Sequence, residues 1–429
     1  MLDMKWIREH AEEVERVAVW KGIELSMEEL LALDARKRRL QGKLDEQRTV
    51  RNKRSGEIAK LLREGRTQDA EASKEEVRRC NERIGQWELE LAQTEKQFLA
   101  WYERVPNIVS PDSPIGRSDA DNVEVTRVGE PPLFDFPLKD HMELGELHGL
   151  LDVARGVKAA GSRHYYLKGA GVLLHRAVQQ LAVDMLLEHG FTLLDVPLMA
   201  RGQAMFGTGF FPLGEDQTYR LAEEDRYLVG TSEVPLVTYY AGEIVDVEEP
   251  IKLCAASMCF RSEVGSAGRD VHGLYRVHQF AKVEQVVICK ADPEQSEAML
   301  QEITGHAKKV LEMLELPYRQ MAVCTGDMSQ KTYKQYDLEA WMPSRAAYGE
   351  THSSSNVLDF QARRSNIRYR DETGELRFCH TLNNTAVASP RILIPLLENH
   401  QQEDGSIRIP EALQPYLGGV KALSPPVSG

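Results

Sequence analysis

Apolar residues in the first hundred positions recur at helical spacing, whereas those beyond it fall into short runs broken by glycine and proline. Trp6, Ile7, Val14 and Val17 mark one short amphipathic helix within residues 1–24, and Ser26 ahead of Glu28 and Glu29 is placed to cap a longer one. Residues 27–104 contain no proline and one candidate turn, around Gly65. Val77, Cys80, Ile84, Trp87, Leu91, Thr94, Phe98, Trp101 and Val105 alternate by three and four, which is a heptad seam with one polar member. The partner seam is weaker: Leu33, Leu40, Leu44, Ile58 and Leu61 fit it, but Arg51 and Arg54 hold seam-like positions. Two such helices joined near Gly65 form an antiparallel hairpin whose arms each reach on the order of 50 Å, so it should project as an arm.

Val105-Pro106-Asn107-Ile108 ends this region, and residues up to Asp121 read as a linker. Beyond it the pattern predicts a helix over Leu173–His189, an extended run over Phe191–Pro197, short strands with glycine turns to residue 290, a surface helix over Pro293–Leu314 and a late helix over Pro390–Asn399. Clustered strands with helices between them, and no Gly-x-Gly-x-x-Gly after a first strand, indicate an α+β domain on an antiparallel sheet. Cys259–Glu284 reads as strand, loop and returning strand, the loop carrying Gly265, Gly268 and Gly273. It concentrates Arg261, Arg269 and Arg276 with Glu263, Glu284 and Phe280. Guanidinium forks can hold a phosphate, carboxylates an amine, and an aromatic face a base. A plain hairpin with glycine turns and surface ion pairs has the same spacing, so the stretch alone leaves both readings open.

Charge sharpens the picture. The 429-residue chain carries a net charge of −13, which excludes a protein that coats nucleic acid over its whole surface. Against that trend, Asp34–Arg66 holds twelve basic and five acidic residues, net +7, whereas Glu71–Arg104 is net −2. Arg36, Lys37, Arg38, Arg39, Lys43, Arg48, Arg51, Lys53 and Arg54 form the basic arm. A solvated helix laced with ion pairs is the plain alternative; the local excess favours a polyanion read by shape and phosphate, such as a folded RNA. The charged start and the lack of any run near 18 apolar residues point to a cytoplasmic protein without membrane contact. Six cysteines without a Cys-x-x-Cys pair read as reduced core residues. No Gly-x-x-x-x-Gly-Lys-Ser/Thr occurs, so a bound nucleotide needs another phosphate anchor.

Taken in order, these segments resemble the class II aminoacyl-tRNA synthetases, and within them the bacterial-type seryl-tRNA synthetases, over nearly the whole chain. The helix and strand ending at Pro197 resemble the family's first motif, Cys259–Glu284 its second, and Thr381-Leu382-Asn383-Asn384-Thr385 through Arg391 its third. Gly230-Thr231-Ser232-Glu233 and Gln279-Phe280-Ala281-Lys282-Val283-Glu284 resemble segments that set seryl enzymes apart. The resemblance implies a tRNA-binding domain over 1–108 with the helical arm, and a catalytic domain over 109–429. It implies activation of L-serine by ATP to seryl-adenylate and pyrophosphate, then transfer to the 3′ end of tRNA(Ser), and of tRNA(Sec) where present, by a homodimer.

The same resemblance carries the site. Arg261, Glu350 and Arg391 are the catalytic set: Arg261 at the α-phosphate and the substrate carboxylate, Arg391 at the γ-phosphate. Phe280 would stack on adenine, with Glu263 and the Val277 backbone reading the base; Ser262, Thr351 and His352 complete the ATP-binding stretch. Glu350 and Ser353 would hold Mg2+. Thr231, Ser232, Glu233, Glu284 and Thr385, with Arg261, would bind serine. The histidines lack zinc spacing and the chain does not resemble the zinc-using archaeal type, so no zinc is expected. The third motif departs from the Asn-Gly-Ser-Gly-Leu-Ala form of many bacterial members: Asn384 and Pro390 stand where glycines are usual, and Thr385 adds a methyl. Two other functions fit parts of the chain. Loading of a carrier protein is opposed by the intact basic arm, and a non-catalytic coiled-coil protein by retention of Arg261, Glu263, Glu284, Glu350 and Arg391 together.

Overall fold

A computed structural model describes residues 1–265 and 272–425. The chain packs as two units, Asp3–Val105 and, with Met1–Leu2, everything from Pro106 onward.

In the first unit the expected opening helix is two, α1 (Met4–Glu9) and α2 (Ala11–Trp20). His10 breaks it: its backbone leaves the helical region, while its ring stacks on Trp6 at 4.2 Å and its Nδ1 lies 3.0 Å from the Trp6 carbonyl oxygen. Ser26 accepts the Glu29 N–H and starts α3 (Met27–Arg63), and a left-handed Gly65 (φ 71°) turns the chain into α4 (Thr67–Tyr102). At 1.5 Å per residue, α3 and α4 are each about 55 Å long. Leu30, Leu40 and Leu44 of α3 are buried, as are Cys80, Ile84, Thr94 and Phe98 of α4, so the heptad reading holds. The seam-position Arg54 finds Glu57 at 3.1 Å and Glu76 at 2.8 Å, an ionic contact where the pattern lacks an apolar one.

The second unit is built on a sheet that, among the described residues, has eight strands. They are β1 (Val123–Val128), β2 (Thr192–Leu193), β3 (Ile251–Phe260), β4 (Gln279–Cys289), β5 (Tyr318–Ala322), β6 (Lys334–Met342), β7 (Ala347–Asn356) and β8 (His380–Ser389). Their order across the sheet is β1-β5-β6-β7-β8-β4-β3-β2, and every pairing is antiparallel except β2 with β3. One face is covered by α5 (Ala170–Glu188), α7 (Pro293–Met313) and α9 (Leu393–Asn399), which bury Leu181, Ile303, Val310 and Leu396 against Val283, Val287 and Leu382. On the other, α6 (Glu233–Thr238) and α8 (Phe360–Ser365) pack Leu236 and Ala362 near Leu253, Val286 and Ile288.

The helix after Pro293 is the expected surface helix, with Glu294, Gln301, Lys309 and Glu312 exposed and Leu300, Ile303, Ala307, Val310 and Leu311 wholly buried as an apolar stripe. Two expectations need correction. Residues 200–250 hold helical turns at Gly202–Gly207 and Glu233–Thr238 among the short strands, and only Thr192–Leu193 of the Phe191–Pro197 run is strand. The stretch read as a linker is partly docked: buried Asn107 donates from Nδ2 to the carbonyls of Lys331 at 3.0 Å and Val357 at 2.8 Å, and the Ser110 N–H bonds Tyr333.

Candidate active site

The sheet face next to α6 holds a cavity of about 210 Å³. Strand β4 supplies its floor by simple alternation: Phe280, Lys282 and Glu284 point into the cavity, while Ala281 and Val283 face away and are buried. Strands β7 and β8 reach it only through irregularities. In β7, His352 pairs with Leu338 but Glu350 with Glu339, so Thr351 is an extra residue. That bulge resets the alternation and brings Glu350 and Ser353, three apart, onto the same cavity wall. In β8 the register shifts between Thr385 and Val387, and Thr385 and Ala388 both line the cavity for the same reason. Thr385 lies directly opposite Glu284.

Two arginines stand at the wall. Arg261, just beyond β3, donates from Nε to the Gly230 carbonyl at 3.3 Å, and its guanidinium lies 5.3 Å from the Phe280 ring centroid. Arg391, just beyond β8, donates from Nε to the Tyr275 carbonyl at 3.0 Å and lies 4.4 Å from the Tyr275 ring centroid. Glu263 has a left-handed backbone (φ 51°) and holds Arg276 Nη1 at 3.2 Å, while Arg163 donates to its carbonyl at 2.7 Å. Glu263 and Val277 both line the cavity.

The far end is a buried polar nest. Thr231 accepts the Glu233 N–H at 3.2 Å, at the start of α6. Glu233 Oε1 accepts from Lys331 Nζ at 2.6 Å, Gln361 Nε2 at 2.7 Å and Asn383 Nδ2 at 2.9 Å. Glu284 Oε2 faces Lys282 Nζ at 2.6 Å. Burial pushes the Glu284 carboxyl above the usual carboxylate range, opposed by Lys282, and pushes the Lys331 ammonium down, opposed by Glu233. Under the Glu350 end, burial and then the Glu350 charge push the Asp337 carboxyl up.

Most of the expected site residues therefore meet in one cavity, with three corrections. Ser232 turns away: its Oγ pairs with Ser257 Oγ at 2.5 Å in the interior. Ser262 gives its hydroxyl to the Asp216 carbonyl at 2.7 Å and does not line the cavity. His352, on the buried side of the bulge, bonds Thr351 Oγ1 through Nδ1 at 2.8 Å, and burial pushes it down to about 3, so it is a neutral packing residue. Gly268 and Arg269 lie outside the described residues. Lys282, Lys331, Asn383, Gln361, Phe210 and Tyr275 received no role from the sequence. Lys282 and Asn383 share the period-two faces of Glu284 and Thr385 and were within reach of that signal; Lys331, Gln361 and Phe210 arrive from distant segments with no local mark.

Of the arm cations, Arg36 pairs with Glu90 at 2.8 Å, Lys37 with Glu95 at 3.9 Å, Arg48 with Glu88 at 2.8 Å and Arg38 with Asp34 at 3.0 Å. Lys43 lies over the Trp87 ring and Arg51 bonds Asn52. Arg39 and Lys53 are exposed and face no carboxylate among the described residues.

The cavity's two arginines, stacking ring and buried carboxylates suit an amino acid and a nucleotide held side by side, and comparison with known proteins gives the family. Residues 1–109 match the family model of the seryl-tRNA synthetase N-terminal domain, and residues 218–400 that of the tRNA synthetase class II core domain (G, H, P, S and T). The chain is 43% identical over 428 residues to a serine–tRNA ligase of Deinococcus radiodurans, covering 100% of each, and 43% identical over 423 residues to that of Dictyoglomus turgidum, covering 97% of this chain and 98% of the relative. Among solved structures, seryl-tRNA synthetase from Pyrococcus horikoshii complexed with ATP superposes with a TM-score of 0.91 at 38% identity, covering 99% of this chain and 100% of that one. Cytoplasmic serine–tRNA ligase from Naegleria fowleri in complex with AMP gives 0.86 at 29% identity, covering 100% and 99%.

Proposed function

The chain belongs to the seryl-tRNA synthetases of class II and acts as a serine–tRNA ligase using ATP; on that premise we propose how its residues divide the work. The observation that carries the reading is the convergence of Arg261, Arg391, Phe280 and the carboxylates Glu233 and Glu284 on one cavity.

Serine activation needs no general base, because the substrate carboxylate is itself the nucleophile. Its oxygen attacks the α-phosphorus, the bond to the bridging oxygen breaks, and pyrophosphate leaves. Catalysis is then positioning and charge stabilisation. Arg261 meets the carboxylate and α-phosphate together, Arg391 meets the γ-phosphate, and Phe280 stacks on adenine with Glu263 and the Val277 backbone at the base edge. Glu350 and Ser353 present two hard oxygens to one wall, a donor set that fits magnesium, and the ion when bound neutralises phosphate charge. Thr231, Glu233, Glu284 and Thr385 take the ammonium and hydroxyl of serine. In the second step a 3′-terminal hydroxyl of the tRNA attacks the seryl carbonyl carbon and AMP leaves.

Residues 1–108 form the tRNA-binding domain, whose basic helix α3 meets tRNA(Ser), and tRNA(Sec) where present, by shape and phosphate; residues 109–429 form the catalytic domain. A homodimer is supported by apolar side chains exposed on α5 and β2, namely Leu173, Leu187 and Leu193. No helix among the described residues is long and apolar enough to cross a membrane, in keeping with a cytoplasmic enzyme. The test is amino-acid-dependent exchange of pyrophosphate into ATP across the twenty amino acids, with and without magnesium. Serine-only, magnesium-dependent exchange is expected. Preference for another amino acid would overturn the pocket assignment.

A further inference from the structure

We propose that Lys331 sets how tightly the cavity holds the α-ammonium of its amino acid, by standing as a built-in competitor on the carboxylate that the ammonium must meet. The inference rests on the assignment of Glu233 to serine. Lys331 comes from the loop between β5 and β6, is 7% exposed, and places Nζ 2.6 Å from Glu233 Oε1 and 4.0 Å from the Phe210 ring centroid. The surroundings accommodate it. Gly209 has a left-handed backbone (φ 80°), and a Cβ there would stand 3.1 Å from Lys331 Cβ and 3.2 Å from Cδ, so the missing side chain leaves room for the lysine stem.

The charge pattern gives the placement its consequence. Glu284, the other carboxylate at this end, faces Lys282 at 2.6 Å. Each buried carboxylate thus has its own lysine, and an arriving ammonium meets no uncompensated negative charge. Gln361 and Asn383 donate to the same Glu233 oxygen as Lys331, which leaves Oε2 as the oxygen for the substrate. Lys331 and the substrate ammonium then flank one carboxylate as like charges, and their repulsion subtracts from the attraction Glu233 offers. In the empty cavity the lysine keeps a buried carboxylate paired, where an unpaired charge is costly. That pairing is obtained at the expense of serine affinity, and the effect falls on ligands bearing an ammonium and spares those without one.

The experiment is pyrophosphate exchange with the full-length enzyme, serine and ATP varied separately, and 3-hydroxypropanoate, which is serine without its ammonium, as competitive inhibitor. Lys331→Gln keeps a neutral donor and Lys331→Met removes it. Either is expected to lower the serine KM by about tenfold, the scale of one screened like-charge contact, with the ATP KM and the inhibition constant of 3-hydroxypropanoate each within about twofold of native. A merely structural lysine would move all three together. On the unmutated enzyme, 3-hydroxypropanoate should bind within about tenfold of serine, whereas an uncontested charged hydrogen bond would separate them by roughly a hundredfold. A hundredfold gap in the native enzyme, or a serine KM unchanged or raised in Lys331→Gln, overturns the proposal. Glu233→Gln separates the two levels of the argument: a raised serine KM upholds the subsite, and an unchanged one removes the assignment beneath the proposal.

Discussion

Arg391 donates from Nη1 to the Glu350 carbonyl oxygen at 3.2 Å and approaches the Glu350 carboxylate at 3.4 Å. The residue proposed for the γ-phosphate is therefore already oriented by the residue proposed for the metal. The Glu350 side chain is 41% exposed, so the ion pair itself contributes little, on the order of 1 kcal/mol or less. Its value is geometric: nucleotide phosphate and cation can replace each partner in turn. Arg391→Ala should raise the ATP KM at least about tenfold while leaving the serine KM near native, since one charged hydrogen bond is lost only on the nucleotide side. Exchange kinetics with ATP and serine varied separately checks this, and a larger change in the serine KM would contradict it.

Among the described residues the Arg261 side chain makes one hydrogen bond, to the Gly230 carbonyl, and lies over Phe280. Little of the fold depends on it. Arg261→Ala should reduce adenylate formation by about 10²–10³ or more, the range for loss of a preorganised charge on a developing anion, with an unchanged circular dichroism spectrum and melting temperature. Activity within a few fold of native would refute the role.

Acid should destabilise the protein through two buried histidines. Burial pushes His306 down to about 4 and His352 to about 3 from the ordinary 6.5. Between 6.5 and those values the unfolded chain binds protons that the folded one excludes, so stability rises with pH there. It is complete above 6.5, falls as pH drops through about 4, and continues to about 3 for His352. His306 donates from Nδ1 to Gln285 Oε1, and Gln285 donates in turn to Asn384 of the third motif. His306→Asn keeps a donor without the titration and should flatten the fall in urea midpoint between pH 6.5 and 4. An unchanged slope would show that other groups govern it.

The arm separates cations held by the hairpin from cations open to a ligand. Arg36 and Arg48 are tied to Glu90 and Glu88 across the helices, whereas Arg39 and Lys53 face solvent. Alanine at Arg39 and Lys53 together should weaken tRNA binding and reduce the slope of log affinity against log salt by about one to two, without affecting serine activation. Deleting residues 30–104 should abolish tRNA charging and spare pyrophosphate exchange. Filter binding across salt concentrations and charging assays read both; unchanged charging after the deletion would refute the arm assignment.

What could be read beforehand follows how local each feature is. Phe280, Lys282 and Glu284 share a face because strand alternation is strict, so β4 was legible as the floor of a site. The heptad of α4 and the turn at Gly65 were legible for the same reason, being repeats within one element. Glu350 and Ser353 should by alternation point to opposite faces, and only the extra residue at Thr351 joins them; a bulge depends on the partner strand and has no local signature. Lys331 reaches Glu233, and Phe210 reaches Lys331, from loops, a juxtaposition made by tertiary folding alone. Ser232 was misread because adjacency to Thr231 and Glu233 suggested a shared role, while the start of α6 turns its hydroxyl to Ser257.

Thr385 carries the last prediction. It lines the cavity directly across from Glu284, so its side chain borders the space proposed for serine. Hydrogen bonding can reject alanine, which would leave buried polar groups unpaired, but threonine keeps the hydroxyl and adds one methyl. Its exclusion has to come from volume, and Thr385 fills the volume concerned. Thr385→Ser removes one methyl from that wall and retains the hydroxyl, so threonine should gain where serine barely changes. The ratio of kcat/KM for serine over threonine in pyrophosphate exchange should fall by about tenfold, the lower end of what one methylene supplies in an apolar pocket. A ratio that does not move would place the steric gate elsewhere on the wall.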